Sequence, residues 1–257
     1  MKTVEGSKLK IVEILKKIPG PADEKPPQRF ERKFAVYPKD IPMSLAFLRQ
    51  VCRPDGQYPK DRVYSLYFDT ADLDQYEKSA AGDFSKKKVR IRWYGSDAQE
   101  NGGVPVYLEL KTREGFASSK KRQKFTAPPQ SLLSANLSRG ILDKTTISQT
   151  LATFGYFPEM PIKPIILISY LRYRFSELQT GTRVCIDQDI RALVMAPELG
   201  RQTHEIKLDS GVIEVKGPSL ELPVTLRYMR QLDVDWSRFS KYGSCLDTYF
   251  GHTDNLY

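Results

Sequence analysis

The stretch KKKVRIRWYG (86–95) carries five cations in ten residues, yet it alternates like a β-strand. From Lys88 on, Lys88, Arg90, Arg92 and Tyr94 face one way, and Val89, Ile91 and Trp93 face the other. Such side chains bind phosphate, because a guanidinium offers a planar fork to two oxygens and an ammonium supplies a point charge. One such strand would be an ordinary solvated surface. Several, with their charged faces turned to a common place, would build an anion site.

The pattern recurs along the chain. Glu31 and Lys33 oppose Phe30, Phe34 and Val36, while Tyr107, Glu109, Lys111 and Arg113 oppose Val106, Leu108 and Leu110. Lys120, Arg122 and Lys124 alternate together, and Tyr170, Arg172 and Arg174 oppose Leu171, Tyr173 and Phe175. Arg183, Asp187 and Asp189 oppose Val184 and Ile186, and Glu214 and Lys216 oppose Ile213 and Val215. In a closed barrel alternate side chains line the interior. A cationic lumen then requires an anion, since like charges in low dielectric repel, and a linear chain of phosphates fits it. The pattern equally allows a half-open sheet with a solvated basic face.

The bulk numbers agree with an anionic partner. The 257 residues include 40 Lys and Arg against 31 Asp and Glu, a formal charge of +9. That favours nucleic acid, a phosphate-rich metabolite or an acidic membrane surface without choosing among them. Hydrophobic content of 40% and charged content of 28% exclude a disordered chain. Cys52, Cys185 and Cys245 are too far apart for a zinc motif or a disulfide framework, which fits a reducing cytoplasm. The opening MKTVEGSKLKIVEILKK lacks a signal-peptide core, and no stretch approaches the ~20 apolar residues of a membrane span.

These strands need a scaffold. Residues 1–28 read as an amphipathic N-terminal helix, with Leu9, Val12, Leu15 and Ile18 at helical spacing, and a Pro-rich linker. Residues 29–257 read as one α+β domain dominated by an antiparallel sheet. Strands are expected near 30–37, 62–69, 87–94, 104–112, 121–126, 164–176, 182–190 and 211–217. Helices are expected near 41–52, 71–80, 130–153 and 221–249. Asp69 or Thr70, in YFDTADLDQY, is expected to cap a helix.

In order along the chain, ERKF (31–34), VYSLYFDTADLDQY (63–76), KVRIRWYG (88–95), YLELKTR (107–113), SYLRYRF (169–175), TRVCIDQDI (182–190), VIEVKG (212–217) and SRFSKYGSC (237–245) resemble the VTC domain. That is the catalytic domain of the vacuolar transporter chaperone complex, within the CYTH-like triphosphate tunnel metalloenzyme superfamily. The resemblance covers about 29–250 and implies an antiparallel eight-stranded closed β tunnel with a basic lumen, flanked by helices. It also implies a polyphosphate polymerase that takes the γ-phosphate of ATP with Mn²⁺ or Mg²⁺. Carried over motif by motif, Lys33, Arg90, Arg92, Lys111, Arg172 and Lys241 would be catalytic. Arg122, Tyr170, Arg174, Arg238 and Ser240 would bind substrate phosphates, and Glu214 would hold the metal. Arg238 stands where the family usually has lysine. The regulatory SPX domain and transmembrane helices of eukaryotic relatives have no counterpart here, so a membrane-protein partner is left open.

Two rivals remain at this level. Hydrolytic relatives carry ExExK on the first strand, and FERKF has one Glu fewer. A non-catalytic polyphosphate-binding module needs no more than the cations. Nucleic acid is disfavoured, because no aromatic RNP motif or recognition helix is present. His204 and His252 read as surface residues, Glu31 and Glu109 as ion-pair partners of Lys33 and Lys111, and Asp187 and Asp189 as orienters of arginine or further metal ligands.

Overall fold

The computed structural model describes residues 30–96, 102–115, 117–199, 205–232 and 234–251. The segment 1–28, His204 and His252 lie outside them. Alternating β-branched, aromatic and charged residues form β1 (Phe30–Val36), β2 (Cys52–Pro54), β3 (Lys60–Asp69), β4 (Ser85–Tyr94), β5 (Val104–Glu114) and β6 (Ala117–Ala127). The remaining strands are β7 (Lys163–Glu177), β8 (Arg183–Val194), β9 (Ile206–Lys207), β10 (Gly211–Gly217) and β11 (Asp235–Trp236). Between them lie the helices α1 (Ile41–Val51), α2 (Asp74–Ala80), α3 (Ser134–Leu137), α4 (Lys144–Thr153), α5 (Val224–Arg227) and α6 (Lys241–Tyr249).

The strands pair antiparallel in the order β11-β1-β10-β8-β7-β3-β4-β5-β6, with β2 on β7 and β9 on β8. Each expected strand is present. Closure is where the structure departs from expectation, for among the described residues no ladder joins β6 to β1 or β11. The sheet nevertheless curls strongly. Strands about 4.8 Å apart would put β1 and β5 roughly 29 Å apart in a flat sheet. Instead Lys111 on β5 brings its Nζ to 3.4 Å from Glu31 Oε2 on β1. The rims meet through side chains, not through backbone.

Three apolar clusters hold this curvature. Outside, Leu66, Val89, Ile91, Val106 and Leu108 pack under Leu137, Ile147 and Leu151 of α3 and α4. Also outside, Phe34, Ile186, Ile213 and Val215 pack under Ile41 and Leu48 of α1 and Leu226 of α5. Inside, Tyr67, Ile168, Tyr170 and Val212 receive Phe239, Tyr242, Cys245 and Leu246 at the start of α6. Gly211 lets β10 pass β8, since a Cβ there would lie 2.7 Å from the Asp187 carbonyl oxygen.

Two expected helices are broken. The 130–153 stretch divides at Gly140, whose φ of +88° is a left-handed conformation that ends a helix; α4 restarts at Asp143, whose Oδ1 accepts from Thr146 N at 2.8 Å. The 221–249 stretch yields α5, then β11, then α6, so Trp236 sits on an edge strand. No described helix is long and apolar enough to cross a membrane.

Asp69, fully buried, accepts from Thr70 N at 2.8 Å, Gln75 N at 2.9 Å, Tyr76 N at 3.0 Å and Tyr242 Oη at 2.7 Å. It caps α2 and fastens α6 to β3. Asp69→Ala strands four buried donors and is expected to cost roughly 3 kcal/mol or more, read by chemical denaturation. Met43→Ser on the exposed side of α1 is expected to change stability by less than about 0.5 kcal/mol.

Candidate active site

The concave face is organised by a few carboxylates, each held by several cations. On β5, Glu109 is only 1% exposed. Arg90 Nη2 lies 2.8 Å from Glu109 Oε2 and Lys120 Nζ 2.5 Å from Oε1, with Arg92 and Arg122 at 3.9 and 3.7 Å. Register makes this contact, because Arg90, Glu109 and Arg122 are direct cross-strand neighbours on β4, β5 and β6. Burial pushes the Glu109 carboxyl up, but Arg90, Arg92 and Lys120 outweigh it and hold the group ionised, well below the usual carboxylate range.

A second network lies where α6 enters. Arg172 donates from Nε and Nη2 to the two oxygens of Asp187 at 2.6 and 2.7 Å, and from Nη2 to Glu214 Oε2 at 3.1 Å. Lys241 Nζ lies 2.6 Å from Asp187 and 3.4 Å from Glu214, and Lys216 donates to Glu214 at 3.0 Å. Burial disfavours the Lys241 ammonium, yet Asp187 and Glu214 raise it above its ordinary value. Arg92 links the two networks, bonding Ser65 Oγ at 3.2 Å and Tyr170 Oη at 3.1 Å. Arg90 Nη1 donates to Tyr67 Oη at 3.0 Å.

The third group spans the curl. Lys33 Nζ donates to the Phe239 carbonyl at 2.9 Å and lies 3.5 Å from Glu31, which also meets Lys111. Burial and Glu214 push the Glu31 carboxyl up, but Lys33, Lys216 and Lys111 bring it to about 2. Lys88 differs from these lysines. Its Nζ donates to Ser240 Oγ at 2.8 Å, a neutral hydroxyl that also caps α6 by accepting from Gly243 N at 3.1 Å. Burial lowers the Lys88 ammonium, and Lys33, Lys111, Lys86 and Arg90 lower it further, to about 7.

The structure thus brings together Lys33, Arg90, Arg92, Lys111, Arg122, Tyr170, Arg172, Glu214, Ser240 and Lys241. It leaves out two of the residues expected from sequence. Arg174 donates to the Tyr58 carbonyl at 3.0 Å and lies over the Tyr94 ring, toward the rim. Arg238 is exposed, since the neighbouring Phe239 takes the inward position. Glu109 pairs with Arg90, Lys120 and Arg122 on the neighbouring strands, while Lys111 reaches across the curl to Glu31. Asp187 orients Arg172, whereas Asp189 turns away at φ +50° to pair with Arg62 and Arg191. Lys88, Lys120 and Lys216 were visible as members of charged faces, but nothing in the one-dimensional pattern marked them as converging.

A metal-dependent family would need oxygen ligands here. No group of three or more acidic, His or Cys side chains is placed to hold a cation among the described residues. Glu214 accepts from Arg172, Lys216 and Lys241, so it fits a divalent cation only as the protein's share of a site completed by phosphate oxygens, as Mg²⁺-type cations commonly require.

Opposite stability effects are expected from the two kinds of lysine and acid. Asp187→Ala leaves Arg172 and Lys241 buried without their main partner and should cost about 3 kcal/mol. For Lys88 the folded state binds its proton less tightly than the unfolded chain does. Charged Lys88 therefore destabilises the fold below pH about 7, and the penalty fades as pH rises from there toward 10.5. Lys88→Met should melt higher than the parent at pH 6, with the gap closing toward pH 10, read by thermal unfolding at both values.

The VTC domain family model matches residues 28–250. No curated protein matches the chain. Among solved structures, an adenylate cyclase-like protein from Bacillus halodurans superposes with a TM-score of 0.51 at 18% identity, over 83% of this chain and 94% of that one. An adenylyl cyclase-like protein from Hippeastrum, described as having a dominant triphosphatase activity, gives 0.49 at 18% identity over 89% and 99%. The first of these likenesses supports the shared fold. With the family model covering nearly the whole domain and the basic concave face in place, this chain belongs to the VTC domain family.

Proposed function

We propose that the concave face is the active site of a metal-dependent polyphosphate polymerase, which moves the γ-phosphate of ATP onto the end of an inorganic polyphosphate chain. The observation that carries this reading is the convergence of Lys33, Lys88, Arg90, Arg92, Lys111, Arg172 and Lys241 from β1, β4, β5, β7 and α6 onto one face, with Glu31, Glu109, Asp187 and Glu214 too few to neutralise them. A polyanion supplies the missing charge.

Transfer at this face needs position more than covalent chemistry. A terminal oxygen of the acceptor attacks Pγ, the bond from Pγ to the β–γ bridging oxygen breaks, and its electron pair leaves on ADP. The acceptor oxygen is already anionic, so no strong base is required. Arg90 and Arg92 on one wall and Arg172 and Lys241 on the other would hold the phosphates in line and offset the charge that builds on the leaving oxygen. Glu214 would help hold Mn²⁺ or Mg²⁺, which when bound neutralises phosphate oxygens. The free cysteines Cys52, Cys185 and Cys245 suit a cytoplasmic location.

Purified protein with ATP and Mn²⁺ is expected to form an acid-labile polymer, resolved by gel electrophoresis, with ADP as co-product. Free phosphate without polymer would assign a hydrolase, and binding of long-chain polyphosphate without turnover would assign a binding module. Arg90→Ala should abolish turnover and still fold, because Glu109 keeps Arg92, Lys120 and Arg122. Lys111→Ala removes an exposed contact to Glu31 and should likewise lose activity while melting near the parent temperature.

A further inference from the structure

At the rim away from α6, the concave face changes character from paired charges to alternating cations and aromatic rings. The Arg122 guanidinium stacks 3.5 Å from the centroid of the Tyr107 ring. Tyr107 meets Tyr94 edge to face at 6.1 Å and 66°, and the Arg174 guanidinium lies 5.6 Å from the Tyr94 centroid. The row Arg122–Tyr107–Tyr94–Arg174 thus crosses from β6 to β7. Both rings are half-buried, unlike Tyr67 and Tyr170, which are buried and accept guanidinium hydrogen bonds through their hydroxyls deeper in the face.

Register fixes how this row stands to the phosphate cations. Tyr107 is the cross-strand partner of Arg92 on β4 and of Lys124 on β6. Tyr94 lies two residues beyond Arg92 on β4, about 7 Å along a strand. That step is of the order of a sugar between a phosphate and a base. Arg174, left out of the phosphate cluster, takes its place at the end of this row.

We infer that Tyr94 and Tyr107, flanked by Arg174 and Arg122, form a nucleobase platform at the rim, which takes the purine of a nucleoside triphosphate whose phosphates lie on Arg90 and Arg92. The inference rests on the reading above that the bound anion is a triphosphate. A planar π-system stacks on a tyrosine or on a guanidinium. An inorganic triphosphate has nothing to place there. The platform therefore separates a nucleotide donor from inorganic phosphate chains by stacking, with no hydrogen-bond code for the base.

The test is calorimetric binding of ATP and of inorganic tripolyphosphate to the parent, Tyr107→Leu, Tyr107→Phe and Tyr94→Leu, with upfield ring-current shifts of the adenine protons as a second readout. ATP is expected to bind the parent more tightly than tripolyphosphate does. Each leucine variant should weaken ATP about tenfold, the range of one lost stack, and erase the upfield shifts, while tripolyphosphate changes less than twofold. Tyr107→Phe should keep both ATP affinity and shifts. Equal weakening of the two ligands, or parent binding of ATP without shifts of the adenine protons, would overturn the platform while leaving the phosphate site standing. Failure of the parent to bind either ligand would overturn the phosphate reading as well, and retained tripolyphosphate binding shows that each variant has folded.

Discussion

Like-charge repulsion is the constraint around which this molecule is arranged. Packing lysines and arginines onto the inner surface of a curled sheet would be prohibitive without compensation, since two unit charges 4 Å apart interact by about 4 kcal/mol even at an effective dielectric of 20. The chain places a small number of carboxylates so that each serves several cations. Glu109 gathers Arg90, Arg92, Lys120 and Arg122, while Asp187 and Glu214 share Arg172 and Lys241. These hubs let the face fold in the absence of an anion and still leave it electropositive.

Helix α6 is the second half of that arrangement. Its entry residues bring a carbonyl to Lys33, a hydroxyl to Lys88 and an ammonium to Asp187 and Glu214, all on the same side of the sheet. Its own seat is apolar, with Tyr242 stacked 4.9 Å from Tyr67 and bonded to Asp69. The helix therefore couples the buried core to the charged surface, and the position of Lys241 depends on packing several residues away. Lys88 is the exception in this economy of charge. It has a hydroxyl partner and cationic neighbours, so its charge is set against like charges instead of a carboxylate.

Curvature arises from a division of labour between the two faces. The convex side is covered in two patches, by α3 and α4 over one half and by α1 and α5 over the other. On the concave side, Leu73, Tyr76, Ala196 and Leu208 join the start of α6 in one apolar cluster. Among the described residues, β5 and β1 meet across the curl through Lys111 and Glu31 instead of a backbone ladder. An exposed β6, rich in lysine and arginine, is also an edge that resists pairing with another chain.

Much of this was legible in the chain itself. Alternation of period two announced the eight long strands and told which residues share a face, while the short β2, β9 and β11 carry too few residues to show it. The same alternation named Arg90, Arg92, Lys111 and Arg172 as one class of residue, because facing is a local property set by the pleat. Partnership is not local. That Glu109 serves Arg90 and Arg122 instead of Lys111, that Arg174 belongs with Tyr94 and not with Arg172, and that the described strands curl without a closing ladder follow from cross-strand register and from the docking of α6. Both are decided by contacts between residues far apart in sequence, such as the 206 positions that separate Lys33 from Phe239.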